Sequence, residues 1–264
     1  MSAARHAAAL VACLALCGAG GARAGDFTEP GHHPGVVERW PSESEVWSWT
    51  RGPMNIADPG AGDASFGLPA YAAGMLTSSE SDVFSLGDGG QITFRFDPGF
   101  GDRPGDDFAV FENGFFAPGG FFGELAFVEV STDGTHFARF PATTQNPSPV
   151  SSQGVIDPTD YHNLAGKHVL GRGTGFDLAE LASSPDVDID DVHYVKLVDV
   201  IGNGSKLDQY GNAIYDPFPT PYASGGFDAN AVGVPEPGVA VALAAGALCI
   251  GALSCLRRPC ARPR

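Results

Sequence analysis

Apolar and polar residues alternate in short runs along the middle of this chain, and clusters of Gly, Pro, Asn and Asp separate the runs. "QITFRF" (91–96), "DFAVFEN" (107–113), "LAFVEVS" (125–131), "HFARF" (136–140) and "VHYVKLVDV" (192–200) are such runs. A period of two puts successive side chains on opposite faces of a strand. No helical period of useful length occurs between residues 25 and 233; "FDLAELA" (176–182) is long enough for one connecting turn. About 210 residues of short strands punctuated by turns suit one antiparallel β-sandwich.

"LAFVEVSTDGTHFARF" (125–140) predicts a hairpin that turns at Asp133-Gly134. A two-residue loop would set Val128 opposite Arg139. A three-residue loop, Thr132-Asp133-Gly134 with Gly134 left-handed, pairs Val130 with His136, Val128 with Ala138 and Ala126 with Phe140. The second register is preferred, because it keeps one face apolar and a one-residue slip would exchange the faces. It sets Glu129 beside Phe137 and Phe127 beside Arg139 on the other face. In "VHYVKLVDV" the face of Val195 and Leu197 ends in Asp199, which is either solvated at the strand end or buried with a partner or a metal.

The two ends have a different pattern. Residues 1–24 carry Arg5 and His6, then the apolar run "AAALVACLAL", then "GARAGD" with Ala22 and Ala24 framing a small-x-small site. A basic start, a short apolar centre and that site predict a cleavable secretory signal peptide. An apolar centre of about ten residues is too short to span a bilayer. A lipoprotein anchor at Cys17 is disfavoured by the bulky Leu16 before it. At the other end, residues 239–256 are free of charge and, as a helix rising about 1.5 Å per residue, just long enough to cross a membrane core. Arg257, Arg258, Arg262 and Arg264 follow. Arginines stay on the cytoplasmic side, so Arg257 and Arg258 stop transfer and the body lies outside.

Pro235-Glu236-Pro237, the apolar span and the arginine-rich end, in that order, resemble the PEP-CTERM sorting signal of Gram-negative bacteria. The resemblance covers residues 234–264. It implies processing by an exosortase and delivery to the cell surface or an extracellular polysaccharide matrix, while the N-terminal signal implies export by the Sec machinery and signal peptidase cleavage. Two prolines around one residue cannot continue a helix or a sheet ladder, so the segment is expected to be extended and accessible to a protease. The expected organisation is therefore a signal peptide (1–24), a flexible lead (25–45), a β-sandwich (46–233) and the sorting segment (234–264).

Charge sharpens once the ends are set aside. Arg5, Arg23, Arg257, Arg258, Arg262 and Arg264 account for six of the 15 basic residues, and Glu236 for one of the 31 acidic ones. Between the ends stand 9 basic and 30 acidic residues, a net charge of −21. Such a surface disfavours nucleic acid and anionic membrane and favours divalent cations. All five cysteines, Cys13, Cys17, Cys249, Cys255 and Cys260, lie in the ends, so no disulfide is expected in the body.

Carboxylates, with two amides among them, recur in loops: Asp97, Asp102, Asp106 and Asp107 in "DPGFGDRPGDD", then Glu112, Asn113 and Glu124, then Asp208, Asn212, Asp216 and Asp228. Calcium takes six to eight oxygen ligands from such groups. The spacing Asp208-x-x-x-Asn212-x-x-x-Asp216 around Gly211 is the expected structural calcium site, although Asp, Asn and Gly are also ordinary turn residues. Glu112, Glu124, Glu129 and Asp107 are the candidates for a glycoside-hydrolase pair. No Gly-x-Ser-x-Gly elbow is present. His32, His33, His136, His162, His168 and His193 lack zinc spacing. "GDGGQ" and "GRGTG" are read as turns. Phe115, Phe116, Phe121 and Phe122 lie in the glycine-rich stretch "ENGFFAPGGFFGE" and are the candidate ligand contacts; Trp40, Trp47, Trp49, Tyr210, Tyr215 and Tyr222 follow unranked.

The hairpin followed by "HYVKLVDV" resembles the galactose-binding-like jelly rolls over residues 84–200. "DDFAVFENG" with "ELAFVEVSTDG" is similar to a group of bacterial cell-surface proteins. The likeness implies ligand capture at the surface, of carbohydrate or corrinoid for uptake, without assigning binding residues. The expected function is that of a non-catalytic surface or matrix protein binding exopolysaccharide or another extracellular ligand. Small-ligand capture and glycan hydrolysis are the alternatives.

Overall fold

The computed structural model describes residues 27, 36–37, 44–54, 67, 69–72, 82–220 and 224–235. The expected signal peptide, the apolar span 239–256, Glu236, Pro237, Arg257, Arg258, Trp40 and Tyr222 lie outside them. No helix among the described residues is long and apolar enough to cross a membrane.

Among the described residues, seventeen strands follow one another along the chain. They are β1 (Val36–Val37), β2 (Ser44–Thr50), β3 (Phe84–Ser85), β4 (Gln91–Phe100), β5 (Phe108–Glu112), β6 (Phe115–Ala117), β7 (Gly120–Phe122), β8 (Ala126–Ser131) and β9 (Ala138–Arg139). Then come β10 (Thr143–Thr144), β11 (Tyr161–His162), β12 (Leu164–Ala165), β13 (Gly173–Phe176), β14 (Val192–Asp199), β15 (Asn203–Leu207), β16 (Ala213–Tyr215) and β17 (Asp228–Gly233). A five-stranded sheet has the order β1-β13-β5-β17-β3, and a six-stranded sheet the order β12-β8-β14-β4-β2, with β9 also on β8. Every pairing in both sheets is antiparallel. The all-β antiparallel expectation holds. "FDLAELA" forms a 3-10 turn at Leu178–Leu181, started by the Asp177 carboxylate accepting the Ala179 N–H.

The sheets meet face to face over one apolar core. Phe84, Phe108, Val110, Phe176, Ala229 and Val232 come from the first sheet; Ile92, Phe94, Phe96, Val128, Val130, Val195 and Leu197 come from the second. Phe108 and Phe176 stack at 5.3 Å, and Phe140 meets both edge-on at 5.8 and 5.0 Å. Such offset and edge contacts add to the burial of the rings. A second cluster, with Phe121, Leu125, Phe127, Ile156, Tyr161, Leu164, Val200 and Ile214, covers one part of the outer face of the six-stranded sheet.

The Asp133-Gly134 hairpin keeps the predicted faces but not the predicted register. Val130 pairs with Ala138 and Glu129 with Arg139, so the loop is two residues longer than expected. Asp133 Oδ1 accepts the N–H groups of Thr135 and His136, and Ser131 Oγ accepts those of Asp133 and Gly134. These bonds hold a wide loop in place of a tight turn. Gly134 is left-handed as predicted, at φ 74°. "GRGTG" is not wholly a turn: β13 begins at Gly173, because a side chain there would press into the Phe111 ring and only glycine lets the strand approach. The lead is not wholly separate from the sandwich either. Val36–Val37 pair with Thr174 and Gly173, and β2 begins at Ser44.

Candidate functional site

β5 and β14 end, and β4, β8 and β17 begin, at one pole of the sandwich. Each region delivers a carboxylate there. Glu112 closes β5, Asp199 closes β14, Asp228 opens β17, Glu124 precedes β8, Asp216 follows β16 and Asp88 lies between β3 and β4. Glu112, Glu124, Asp199, Asp216 and Asp228 are all buried, Asp199 to 1% and Glu124 to 6% exposure. The solvated alternative for Asp199 is thereby overturned: β14 turns its Val195 face inward, so the carboxylate goes inward with it.

Backbone donors hold several of these acids in place. Asp199 Oδ2 accepts the Gly89 N–H at 2.8 Å and Oδ1 the Phe227 N–H at 2.7 Å. Asp216 Oδ2 accepts the Leu125 N–H at 2.8 Å, and Glu112 Oε2 the Gly114 N–H at 2.6 Å. Asp228 Oδ2 accepts from Asn113 Nδ2 and Ser224 Oγ, while its buried Oδ1 has no partner. Among the described residues, no donor reaches the Glu124 carboxylate and no lysine or arginine forms an ion pair with Glu124, Asp199 or Asp216. Lys167 is buried, but it donates to the Tyr161 carbonyl, and burial alone lowers its pKa to about 8.

Taking anions out of water raises their pKa, and neighbouring anions raise it further. Burial, then the charge of Asp228, Asp216, Glu112 and Asp199, pushes Glu124 well above the usual carboxylate range. Burial, then Asp199, does the same to Asp216 against the Leu125 N–H. Burial, then Asp228, acts on Glu112. Asp199 rises to about 7 by burial, against the Gly89 and Phe227 N–H groups. Asp228 rises to about 6 by burial, against its Ser85, Asn113 and Ser224 donors.

Asp88, Glu124, Asp199, Asp216, Thr220 and Gly226 help to line a small enclosed cavity at this pole. It leaves about 10 Å³ for the centre of a water-sized sphere, which is room for one such sphere. The Thr220 hydroxyl is buried and unpartnered, and the residue is 3% exposed. All the side-chain donors are oxygens, the set that a hard cation takes.

A second group of acids sits at the opposite pole, where β4 ends and β5 begins. Carboxylate oxygens of Asp102, Asp107 and Asp177 lie within 4.8 Å of one another. Both Asp107 oxygens are already occupied, by the Arg103 and Leu178 N–H groups, and Asp177 Oδ1 by the Ala179 N–H. Their convergence is closer than at the first pole; the N–H bonds cap the loops, and half-buried Asp102 keeps a buried Oδ1 without a hydrogen-bond partner.

The predicted calcium ligands do not come together. Asp208 sits at the tip of the β15–β16 hairpin and Asp216 at its base, roughly 10 Å apart at about 3.3 Å per residue. Asp208 accepts the N–H groups of Thr144, Tyr210 and Asn212, and the Asn212 side chain donates to it. Asp208 and Asn212 therefore close a turn, and Asp216 alone joins the buried acids. The phenylalanines also divide. Phe121 and Phe122 are buried and are corrected to core residues, Phe115 stacks on Phe122 at 5.1 Å, and Phe116 projects at 69% exposure. Of the hydrolase candidates, Glu112 and Glu124 are inside the first pole and Asp107 caps backbone. Glu129 accepts Arg139 Nε and Nη2 and pairs with Lys196.

The uncovered part of the six-stranded sheet presents a different surface. Glu45, Arg95 and Tyr194 lie side by side across β2, β4 and β14. A bulge in β2 between Val46 and Ser48 adds Trp47 to this face, as bulges re-aim side chains. Trp47 is 53% exposed, meets Tyr194 edge-on at 5.7 Å and has the Arg95 guanidinium 5.4 Å from its ring centre. Arg95 also pairs with Glu45 at 3.3 Å. No sequence signal ranked Trp47 above the other aromatics, because the bulge is not written in the alternation of "SEVWSWT". Thr220 carried no signal either.

Against known proteins, the chain matches no family model and no curated protein.

Proposed function

We propose that this chain is an exported, jelly-roll-like β-sandwich that works by binding rather than catalysis. In this reading the Sec machinery and signal peptidase export it, its C-terminal span holds it in the membrane, and an exosortase acting at Pro235-Glu236-Pro237 delivers it to the cell surface or matrix. Its ligand is an extracellular polysaccharide. The observation that carries the binding reading is Trp47, half-exposed on the sheet's outer face and braced by Tyr194 and Arg95. A rigid ring of this kind offers its face to a pyranose, and the flanking Arg95 and Glu45 offer hydrogen bonds to hydroxyls. Such aromatic anchors carry a large share of binding energy for little ordering cost. The burial of Glu112, Glu124 and Asp107 and the ion pairs of Glu129 favour binding over glycoside hydrolysis.

Affinity electrophoresis in gels cast with neutral and acidic bacterial exopolysaccharides tests the reading. Trp47→Ala is expected to weaken retardation by about tenfold or more, and Phe116→Ala to leave it unchanged. Wild-type protein that no gel retards would sink the polysaccharide reading. Loss in Phe116→Ala alone would move the contact to the β6–β7 hairpin and favour the small-ligand alternative.

A further inference from the structure

We propose that Glu124, Asp199 and Asp216, together with the Thr220 hydroxyl, hold one calcium ion at the pole of the sandwich where β14 ends. Four observations converge on this. The three carboxylates and the hydroxyl line one enclosed cavity with room for a single small sphere. The Thr220 oxygen is buried to 3% residue exposure without a partner, and buried hydroxyls are otherwise hydrogen-bonded. Glu124 stands among four other acids, and no donor among the described residues reaches its carboxylate. No buried lysine or arginine among the described residues balances these charges, and buried charges persist when they are paired or bind metal.

The donor set selects the ion. Carboxylate, hydroxyl and loop carbonyl oxygens suit calcium, which accepts six to eight oxygens in irregular geometry. Magnesium keeps several waters and demands a near-octahedral shell, which a cavity of this size does not admit. Asp199 and Asp216 are fixed by the Gly89, Phe227 and Leu125 N–H groups, so Glu124 is the side chain left to close on the ion. The bound ion would tie together three segments: the approach to β8, the end of β14 and the stretch from Asp216 to Thr220 after β16. The Trp47 face belongs to the outer surface of a sheet, so cation binding does not depend on polysaccharide binding.

The full chain, purified in detergent and stripped with EDTA, can be titrated with calcium chloride by calorimetry, with thermal melts in parallel. Wild-type protein is expected to bind calcium saturably and to melt higher as the site fills, because a ligand held by the folded state alone stabilises it. Glu124→Gln is expected to weaken binding by roughly tenfold or more. Its melting temperature in EDTA should equal or exceed that of wild type, since a buried repelling charge is gone; this separates lost binding from lost folding. Asp102→Asn should bind as wild type does. Absence of saturable binding in wild type would overturn the proposal. So would loss of binding in Asp102→Asn with retention in Glu124→Gln, and magnesium binding as tight as calcium would overturn the choice of ion.

Discussion

In EDTA the protein is expected to melt at a higher temperature at pH 5 than at pH 8. Most carboxylates in folded proteins act in the opposite sense, because salt bridges and donors lower their pKa. Here Asp199 titrates at about 7 and Asp228 at about 6 in the folded chain, against an ordinary value of 3.8. The folded state therefore binds more protons than the unfolded chain between those values. Stability from these two groups is complete below about pH 4 and is lost as pH rises through 6 and 7. At about 1.4 kcal/mol per pKa unit, the two shifts of about 3 and 2 units together amount to roughly 7 kcal/mol. That is a large share of a typical net stability of about 5–15 kcal/mol. Glu180, lowered by its His162 and Asn163 partners, acts in the usual direction, but its contribution fades only near pH 4 and below. Millimolar calcium should flatten or reverse the trend, because it binds the ionised carboxylates. Melts at pH 5, 6.5 and 8, with and without calcium, decide the matter. EDTA melts that rise from pH 5 to pH 8 would mean that water or counter-charge reaches the acids.

The parts of the fold that could be read from the chain are those where one face is apolar and the other is not. β4, β8 and β14 carry that contrast, and their runs matched the strands closely. β17 could not be read in this way. "DANAVG" is small and polar by composition, yet it lies between β5 and β3 with every residue buried. Its place is fixed by its neighbours: β5 on one side and β3 on the other pair with it and cover it. The same limit applies to the acids. Asp199 announced itself, because an apolar strand face ended in a carboxylate. Glu124 and Asp216 looked like any turn residues, and the even spacing of Asp208, Asn212 and Asp216 suggested a chelating loop where the chain makes a hairpin. Strand pairing separates the tip of a hairpin from its base by its length, so close spacing in sequence became distance in space. The acids that do converge come from positions 124, 199 and 216, which the pairing of β8 with β14 and the return of the chain after β16 bring together.

Gly202→Ala is expected to damage both stability and calcium binding, whereas Gly211→Ala in the same hairpin should damage neither strongly. A methyl group on Gly202 would overlap Asp216 Oδ1 and stand 2.7 Å from the Asp216 carbonyl oxygen. The carboxylate cannot simply swing aside, because its other oxygen holds the Leu125 N–H at 2.8 Å and the residue is buried. The strain must move the base of the hairpin, at about 1–3 kcal/mol, or break a hydrogen bond to a buried acid, at about 1.5–3 kcal/mol. Either way Asp216 leaves its position on the cavity wall. Gly211 has φ 85°, and a methyl group there would meet nothing within 4 Å, so alanine bears only left-handed backbone strain of about 1 kcal/mol. Urea titrations of both variants in EDTA give the stability difference, and calorimetry with calcium gives the binding. A Gly202→Ala protein that keeps wild-type stability and calcium affinity would show that Asp216 is free to move, and would remove it from the set of ligands.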